Sequence, residues 1–411
     1  MKRIIMIAAL LVLATGAASQ ATLGMGARAT GMGGAYTSLV NDETAIFWNP
    51  AMLNYQQENF SMSLPAFGLS YVSSLDREDI DDLSGDEVET IGNANLLLES
   101  SGMIGFQANR WGVGVLANID GMADLQGSNL SKIESVLNAI ETTGGTAAQY
   151  NAALAAAGVS AGQTLTTALE SRFIGVGEGV VSHSWKHWGL DIGANLKALK
   201  AQVYGIGVGT SFTVPTSAAT STFVVPTCTG CYLVDADGSG FGIDLAISGK
   251  TNDSGPLKNS RASLVVRNLF AQVDVSGTIK GYNIVDDPAT AAVDYKLQET
   301  AVTGTYDEDI TISPEITLGY SGDLDKDLHF AIDTTIDTDD ASIGFVAGVE
   351  KDFGVISLRG GLGRCVMTES FCYSGGIGLD IKSLVLDVAY GKNDTADANG
   401  DILAASFRLE F

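Results

Sequence analysis

The sequence predicts an all-β chain: a transmembrane antiparallel β-barrel of about 14 strands. Three observations carry this prediction. Segment after segment alternates apolar and polar residues, the chain opens like an exported protein yet holds no helical anchor, and its loop lengths segregate by parity.

The alternation is clearest in the last residues, ILAASFRLEF. Leu403, Ala405, Phe407, Leu409 and Phe411 share one face, and Ala404, Ser406, Arg408 and Glu410 share the other. Nine to eleven tilted residues suffice for a strand to cross a bilayer. The same period recurs in Ile343 to Glu350, Leu328 to Thr335 and Phe241 to Ser248, where the second face is mostly polar or glycine. Strands are expected near 60–73, 102–109, 112–121, 172–185, 189–205, 239–250, 261–275, 312–321, 327–336, 342–352, 355–363, 374–382, 384–392 and 403–411.

The export reading comes from residues 1–21. Lys2 and Arg3 precede an apolar run from Ile4 to Leu13 and then small residues ending in Ala21, the pattern of a cleaved signal peptide. A mature chain is expected to start near Thr22. No later run reaches the roughly 18 apolar residues of a membrane helix. Mean hydropathy is nevertheless +0.19, with 49 glycines and 17% charged residues. Hydrophobic composition without a helical anchor favours a barrel in the bacterial outer membrane, in contact with lipid and lipopolysaccharide. A net charge of -25 excludes a basic footprint for nucleic acid.

Loop lengths give an independent test, because outer-membrane barrels combine short periplasmic turns with longer external loops. If the first strand runs outward, the short turns at 109–111, 186–188, 322–326, 353–354 and 382–383, with a moderate one at 250–260, fall on one end. The long connections 75–101, 122–171, 206–238, 276–311, 364–373 and 393–402, with one short member near Asp337, fall on the other. The connection 122–171 holds Ile133, Val136, Leu137 and Ile140 at helical spacing, then the alanine-rich NAALAAAG, and is read as an external loop with helices. That apolar stripe is a candidate ligand groove; packing against the barrel rim is the alternative.

Four cysteines form two local pairs, Cys228/Cys231 and Cys365/Cys372, both in predicted external loops. Two disulfides are expected in an exported chain, with a redox or zinc CxxC as the competitor. The acidic stretch LDREDIDDLSGDEVET and the fragments DADGSG and DANGD lack the downstream bidentate Glu of a calcium loop. They are read as solvated loops. Calcium, if it binds there, would bridge to lipopolysaccharide phosphates, and no other cofactor or metal site is expected. Trp111, Trp185 and Trp188, with His183 and His187, lie at predicted periplasmic turns as an interfacial girdle.

Residues 24–53, GMGARATGMGGAYTSLVNDETAIFWNPAML, do not alternate. They resemble the N-terminal G-x-R-x-x-G-M-G-G-A and N-P-A-x-L motifs of the FadL-like outer-membrane proteins, including the PorV branch. Arg28, Gly31, Gly33, Gly34, Asp42, Asn49 and Pro50 carry the match. The resemblance implies that residues 22–57 form a hatch inside the lumen of a barrel spanning 58–411. Arg28 and Asp42 could then pair with the charges expected to line the lumen, Asp244, Arg267, Glu315, His329, Asp333, Glu350, Arg359, Asp380, Asp387, Arg408 and Glu410, whereas Arg28 facing periplasmic water is the other reading. It also implies a non-enzymatic channel for uptake of hydrophobic small molecules of the long-chain fatty acid or hydrocarbon type. Phe411 resembles the C-terminal sorting signal read by the barrel assembly machinery. A second reading is protein handling, because the PorV branch and TraF-like conjugal-transfer proteins, which this chain also resembles, imply secreted or transfer-apparatus proteins as partners. A lipid hydrolase would need a Ser-His pair, and His183, His187 and His329 lie on or beside distant strands.

Overall fold

The computed structural model describes residues 25–55, 60–73, 93–126, 129, 132–133, 135–136, 147–216, 227–228, 230–253, 257–286, 295–339, 341–364, 371–394 and 399–410. The strands are β1 (Phe60–Ser73), β2 (Asn93–Ala108), β3 (Trp111–Gln126), β4 (Thr164–His187), β5 (Leu190–Thr213), β6 (Thr227–Cys228), β7 (Tyr232–Lys250) and β8 (Lys258–Asp286). They continue as β9 (Tyr295–Thr311), β10 (Glu315–Asp325), β11 (Leu328–Asp337), β12 (Ile343–Asp352), β13 (Ile356–Arg364), β14 (Phe371–Ile381), β15 (Leu384–Asp394) and β16 (Asn399–Glu410).

Each barrel strand pairs with its neighbours antiparallel, and the ring closes where β1 meets β16, from Ser61 opposite Glu410 to Ser73 opposite Asn399. On the far side β10 pairs with the first part of β8, Glu315 opposite Arg267. The two-residue β6 stands off the ring, and β9 pairs with the distal part of β8, Gln272 opposite Thr311. Thus β9 and β10 are one interrupted strand, and the closed ring has 14 members. The interruption has a local cause. Pro314 offers no N–H to a ladder, while Asn268 and Phe270 on β8 take φ of 59 and 58, which turns the strand before it resumes. The Ile312 N–H donates to the Ala271 carbonyl across the break at 2.9 Å. A second irregularity, at Pro65 in β1, shifts the register between Leu64 and Phe67.

Strand lengths divide the wall in two. The strands β10–β16 have 9 to 12 residues each, matching a tilted bilayer crossing. On the other side β4 and β5 have 24 each and β8 has 29. Along the short side apolar residues such as Leu318, Phe345, Val349 and Leu358 are exposed on the outer face, and Thr317, Asp333, Glu350 and Asp387 are buried inside.

The tall side inverts this polarity partway up. On β5 Leu196 faces outward and Lys197 inward. Two residues later Leu199, Ala201 and Val203 are inside, and Lys200 and Gln202 are exposed. On β7 the outward Phe241, Leu245 and Ile247 give way to Asp237 and Asp235, with Ala236 and Val234 inside. Register puts both switches at one height, since Lys200 pairs with Ser239 and Ala198 with Phe241. A lipid-facing surface ends there, and above it the wall has an apolar inside and a polar outside. Ala271, Val273 and Val275 of β8 and Ile312 join this inner face in one buried cluster. Arg172 of β4 reaches Tyr306 and Glu308 of β9, so the tall wall curls until its last strand meets its first.

Sequence alternation located all the ring strands but ended several too soon. The stretches 93–101, 122–126, 164–171, 206–213, 232–238, 276–286 and 295–311, read as external loop, are strand. The tips of β5, β7 and β8 lie above the apolar-out period, so the cue that marked their lower halves changes sign there. DADGSG likewise falls within β7 instead of a loop. The connection 122–171 does contain a helix, Ala147–Ala156. Its Tyr150 and Leu154 pack with Val136, Leu165, Phe212 and Val214 beside the rim.

Candidate functional site: the filled bore

Residues 25–55 lie within the ring and are almost wholly buried. A helix at Ala27–Gly31 packs against β13–β16, a second at Ala45–Trp48 against β3 and β4, and a 3-10 turn at Pro50–Asn54 against β4, β5 and β7. Local chemistry dictates these turns. Gly33 and Gly34 take φ of 69 and 86, closed to most side chains. Pro50 stands first in the 3-10 turn, and Asn49 caps it by accepting from the Ala51 N–H at 3.1 Å. The Asn49 Nδ2 donates to the Thr37 carbonyl at 2.8 Å, tying the two halves of the segment together. The Tyr36 and Trp48 rings meet edge to face at 5.8 Å.

The barrel wall is shaped to receive this backbone. A Cβ at Gly193 would stand 2.1 Å from the Ala51 nitrogen, one at Gly361 2.2 Å from the Gly33 nitrogen, and one at Gly348 2.5 Å from the Met32 oxygen. Glycines on the inward face are therefore sockets for the segment.

Two groups of polar contacts fasten it. In the first, Arg28 donates to Glu350 through Nε at 2.9 Å and Nη2 at 2.7 Å, and through Nη1 to Asn41 at 2.6 Å. Arg359 donates to the same Glu350 and to Asp387. Arg408 donates to Asp42 at 2.6 Å, as does the Tyr36 hydroxyl at 2.6 Å. Burial would raise the Asp42 pKa, but Arg408, Arg28 and these hydrogen bonds hold it below its ordinary value. Glu43 next to it has the opposite fate. Burial, with the Asp42 charge alongside, pushes its carboxyl up to about 8. Its Oε2 has no hydrogen-bond partner among the described residues, beside a small cavity lined by Met25, Ser63, Met103 and Arg408.

The second group lies across the bore. Asp333 accepts from the Tyr36 and Thr37 N–H groups at 2.8 Å each. Asn195 donates to the Ile46 carbonyl and Arg267 to the Trp48 carbonyl, both at 2.8 Å. Behind them the Lys197 ammonium sits 3.1 Å from Glu178 and 3.0 Å from Asp244, and donates to Asn268 Oδ1 at 2.8 Å.

The structure thus brings Arg28, Gly31, Gly33, Gly34, Asp42, Asn49 and Pro50 into one buried unit. Arg28 faces the lumen carboxylates, with 14% of its side chain accessible, instead of open water. Of the groove residues Val136 is fully buried and Ile133 partly so, which is packing against the rim; Leu137 and Ile140 lie outside the described residues. Cys231 and Cys372 are disulfide-bonded. The Cys228 side chain, Cys365, Phe411, residues 1–21 and the acidic stretch 75–90 lie outside the described residues. Trp111 stacks on His183 at 4.1 Å and Trp188 lies 4.4 Å from His187 at the short-turn end. His329, Glu350 and Asp352 approach as metal-type ligands within 4.8 Å. Both imidazole nitrogens of His329 already face Asp323 and Asp352, however, and Glu350 serves two arginines.

Sequence reasoning missed Tyr36, Glu43, Trp48, Glu178, Asn195 and Lys197. A signal existed for two of them, since Asn195 and Lys197 share the phase of Asp191 within the otherwise apolar stretch Leu190–Leu199.

A closed ring filled by its own N-terminal segment defines the class: a plugged 14-stranded barrel. Solved structures resemble its fold over their whole length. The toluene transporter TodX of Pseudomonas putida superposes with a TM-score of 0.57 at 13% identity, covering 94% of this chain and 99% of that one. The toluene transporter TbuX of Ralstonia pickettii gives 0.55 at 14%, covering 96% and 100%, and a FadL homologue of Pseudomonas aeruginosa gives 0.53 at 11%, covering 97% and 100%. No protein-family model and no curated protein matches the chain.

Proposed function

We propose that this protein is an outer-membrane channel through which hydrophobic small molecules enter the cell, with residues 25–55 as its hatch and the tall wall facing outward. The observation that carries the reading is the inverted polarity of that wall. An apolar inner face projecting above the lipid-facing band and ending at the hatch is suited to draw a hydrophobe from water toward the bore. The whole-length fold likeness to two toluene transporters supports the same substrate class. No enzymatic role enters the reading. The test is uptake of a labelled hydrocarbon by cells lacking other outer-membrane hydrophobe channels, with and without this protein; equal uptake in both would remove the reading. A protein-handling role is the alternative, supported by the motif match over 24–53, and a stoichiometric protein partner on gentle purification would favour it.

A further inference from the structure

The inward series of β5 descends as Val203, Ala201, Leu199 and then Lys197. These residues are buried against the facing strands, so a cargo that parts this apolar packing would meet the ammonium before the hatch. An ammonium has three N–H donors. Here one goes to Asn268 Oδ1, and the Glu178 and Asp244 carboxylates crowd the same nitrogen at 3.1 and 3.0 Å. Two carboxylates face one ammonium, so the position is net negative and offers no donor to a further anion. Asp244 is itself held in place by the Asn195 Nδ2 at 2.7 Å and the Asn268 N–H at 2.9 Å. The other cations on the same route are also matched, Arg172 by Glu308 at the mouth and Arg267 by Glu315 beside the hatch.

We infer that the Lys197–Glu178–Asp244 cluster is a charge filter that admits uncharged hydrophobes and turns away carboxylates, a specificity that rests on the uptake reading above. A desolvated carboxylate next to this cluster would meet net repulsion with no hydrogen bond in return. A neutral chain of equal length meets neither cost. The filter therefore acts on the head group alone.

The experiment compares a fatty alcohol with the fatty acid of equal chain length, well above the pKa of the acid. It measures binding to the purified barrel by calorimetry and uptake by cells carrying the full chain. The alcohol is expected to bind at least about tenfold more tightly and to enter faster. The double variant Glu178→Gln/Asp244→Asn, which leaves Lys197 unmatched, should raise acid binding and narrow the gap. Equal or tighter acid binding by the native protein would overturn the filter while leaving uptake intact. If neither compound binds or enters, the uptake reading falls and the filter with it. The native comparison decides the matter even if the double variant fails to fold.

Discussion

Glu43 shows how one side chain can make the hatch pH-sensitive. Its carboxyl, ordinarily near 4.5, is pushed to about 8 inside the plug by burial and by Asp42. Between those values the seated hatch binds a proton that the released segment gives up. Seating is thus favoured most at low pH, weakens as pH climbs through the window, and loses the contribution above about 8. We expect solute leakage through the reconstituted barrel to increase from mildly acidic to mildly alkaline pH, and Glu43→Gln to flatten that rise; an unchanged slope in the variant would assign the effect elsewhere. Asn49 acts by geometry instead. Replacing Asn49-Pro50 with Ala-Ala removes a cap, worth about 0.5–2 kcal/mol, and the bond to Thr37. Faster liposome swelling in small polar solutes is the expected result, and native swelling rates would show that these residues do not seal the bore. The motif spelled out Asn49 and its neighbours, whereas Glu43 has no pattern that distinguishes it from a solvated acid. Only the fold encloses it.

At the level of elements, the hatch and wall fit through absent side chains. Gly193→Val would drive a branched side chain into the Ala51 backbone, where the Cβ alone is 2.1 Å from nitrogen. Overpacking of this kind costs about 1–3 kcal/mol. The variant should assemble its ring yet show a lower temperature for hatch release, read by protease access to residues 25–55. The tall wall behaves differently. Val273 is fully buried in a cluster above the lipid band, so Val273→Ala should weaken that wall by about 2 kcal/mol. Heat-resistant migration of the barrel in gels should stay native, because the ring ladder lies below. The lower halves of these strands were legible because lipid demands an apolar exterior every second residue. Their tips were not, because water demands the reverse there, and a period that inverts fades into apparent loop. The break between β9 and β10 escaped because the expected strand 312–321 ran through Pro314 while the stretch before it was read as loop.

Across the whole molecule, strand number and loop parity were both readable, since each follows from closing an antiparallel ring in a membrane. The 48 acidic residues against 23 basic ones were readable as bulk charge but not as placement. Some line the outer face of the tall wall, as Asp235, Asp237 and Asp274 do, and others are matched to arginines in the bore, as Glu350 and Asp387 are. Such sorting comes from register, which brings together residues hundreds of positions apart.

The seam between β1 and β16 carries a consequence for biogenesis. Asp42 is gripped by Arg408 on the final strand, and Ser61, at the start of the first, pairs with Glu410 two residues further on. The N-terminal segment thus touches the final strand right where the cylinder closes. A chain whose N-terminal piece is missing from the interior would close with Arg408 short of its main counter-ion and sockets at Gly193, Gly348 and Gly361 empty. An unfilled cylinder would therefore lack contacts at the join itself as well as along the wall.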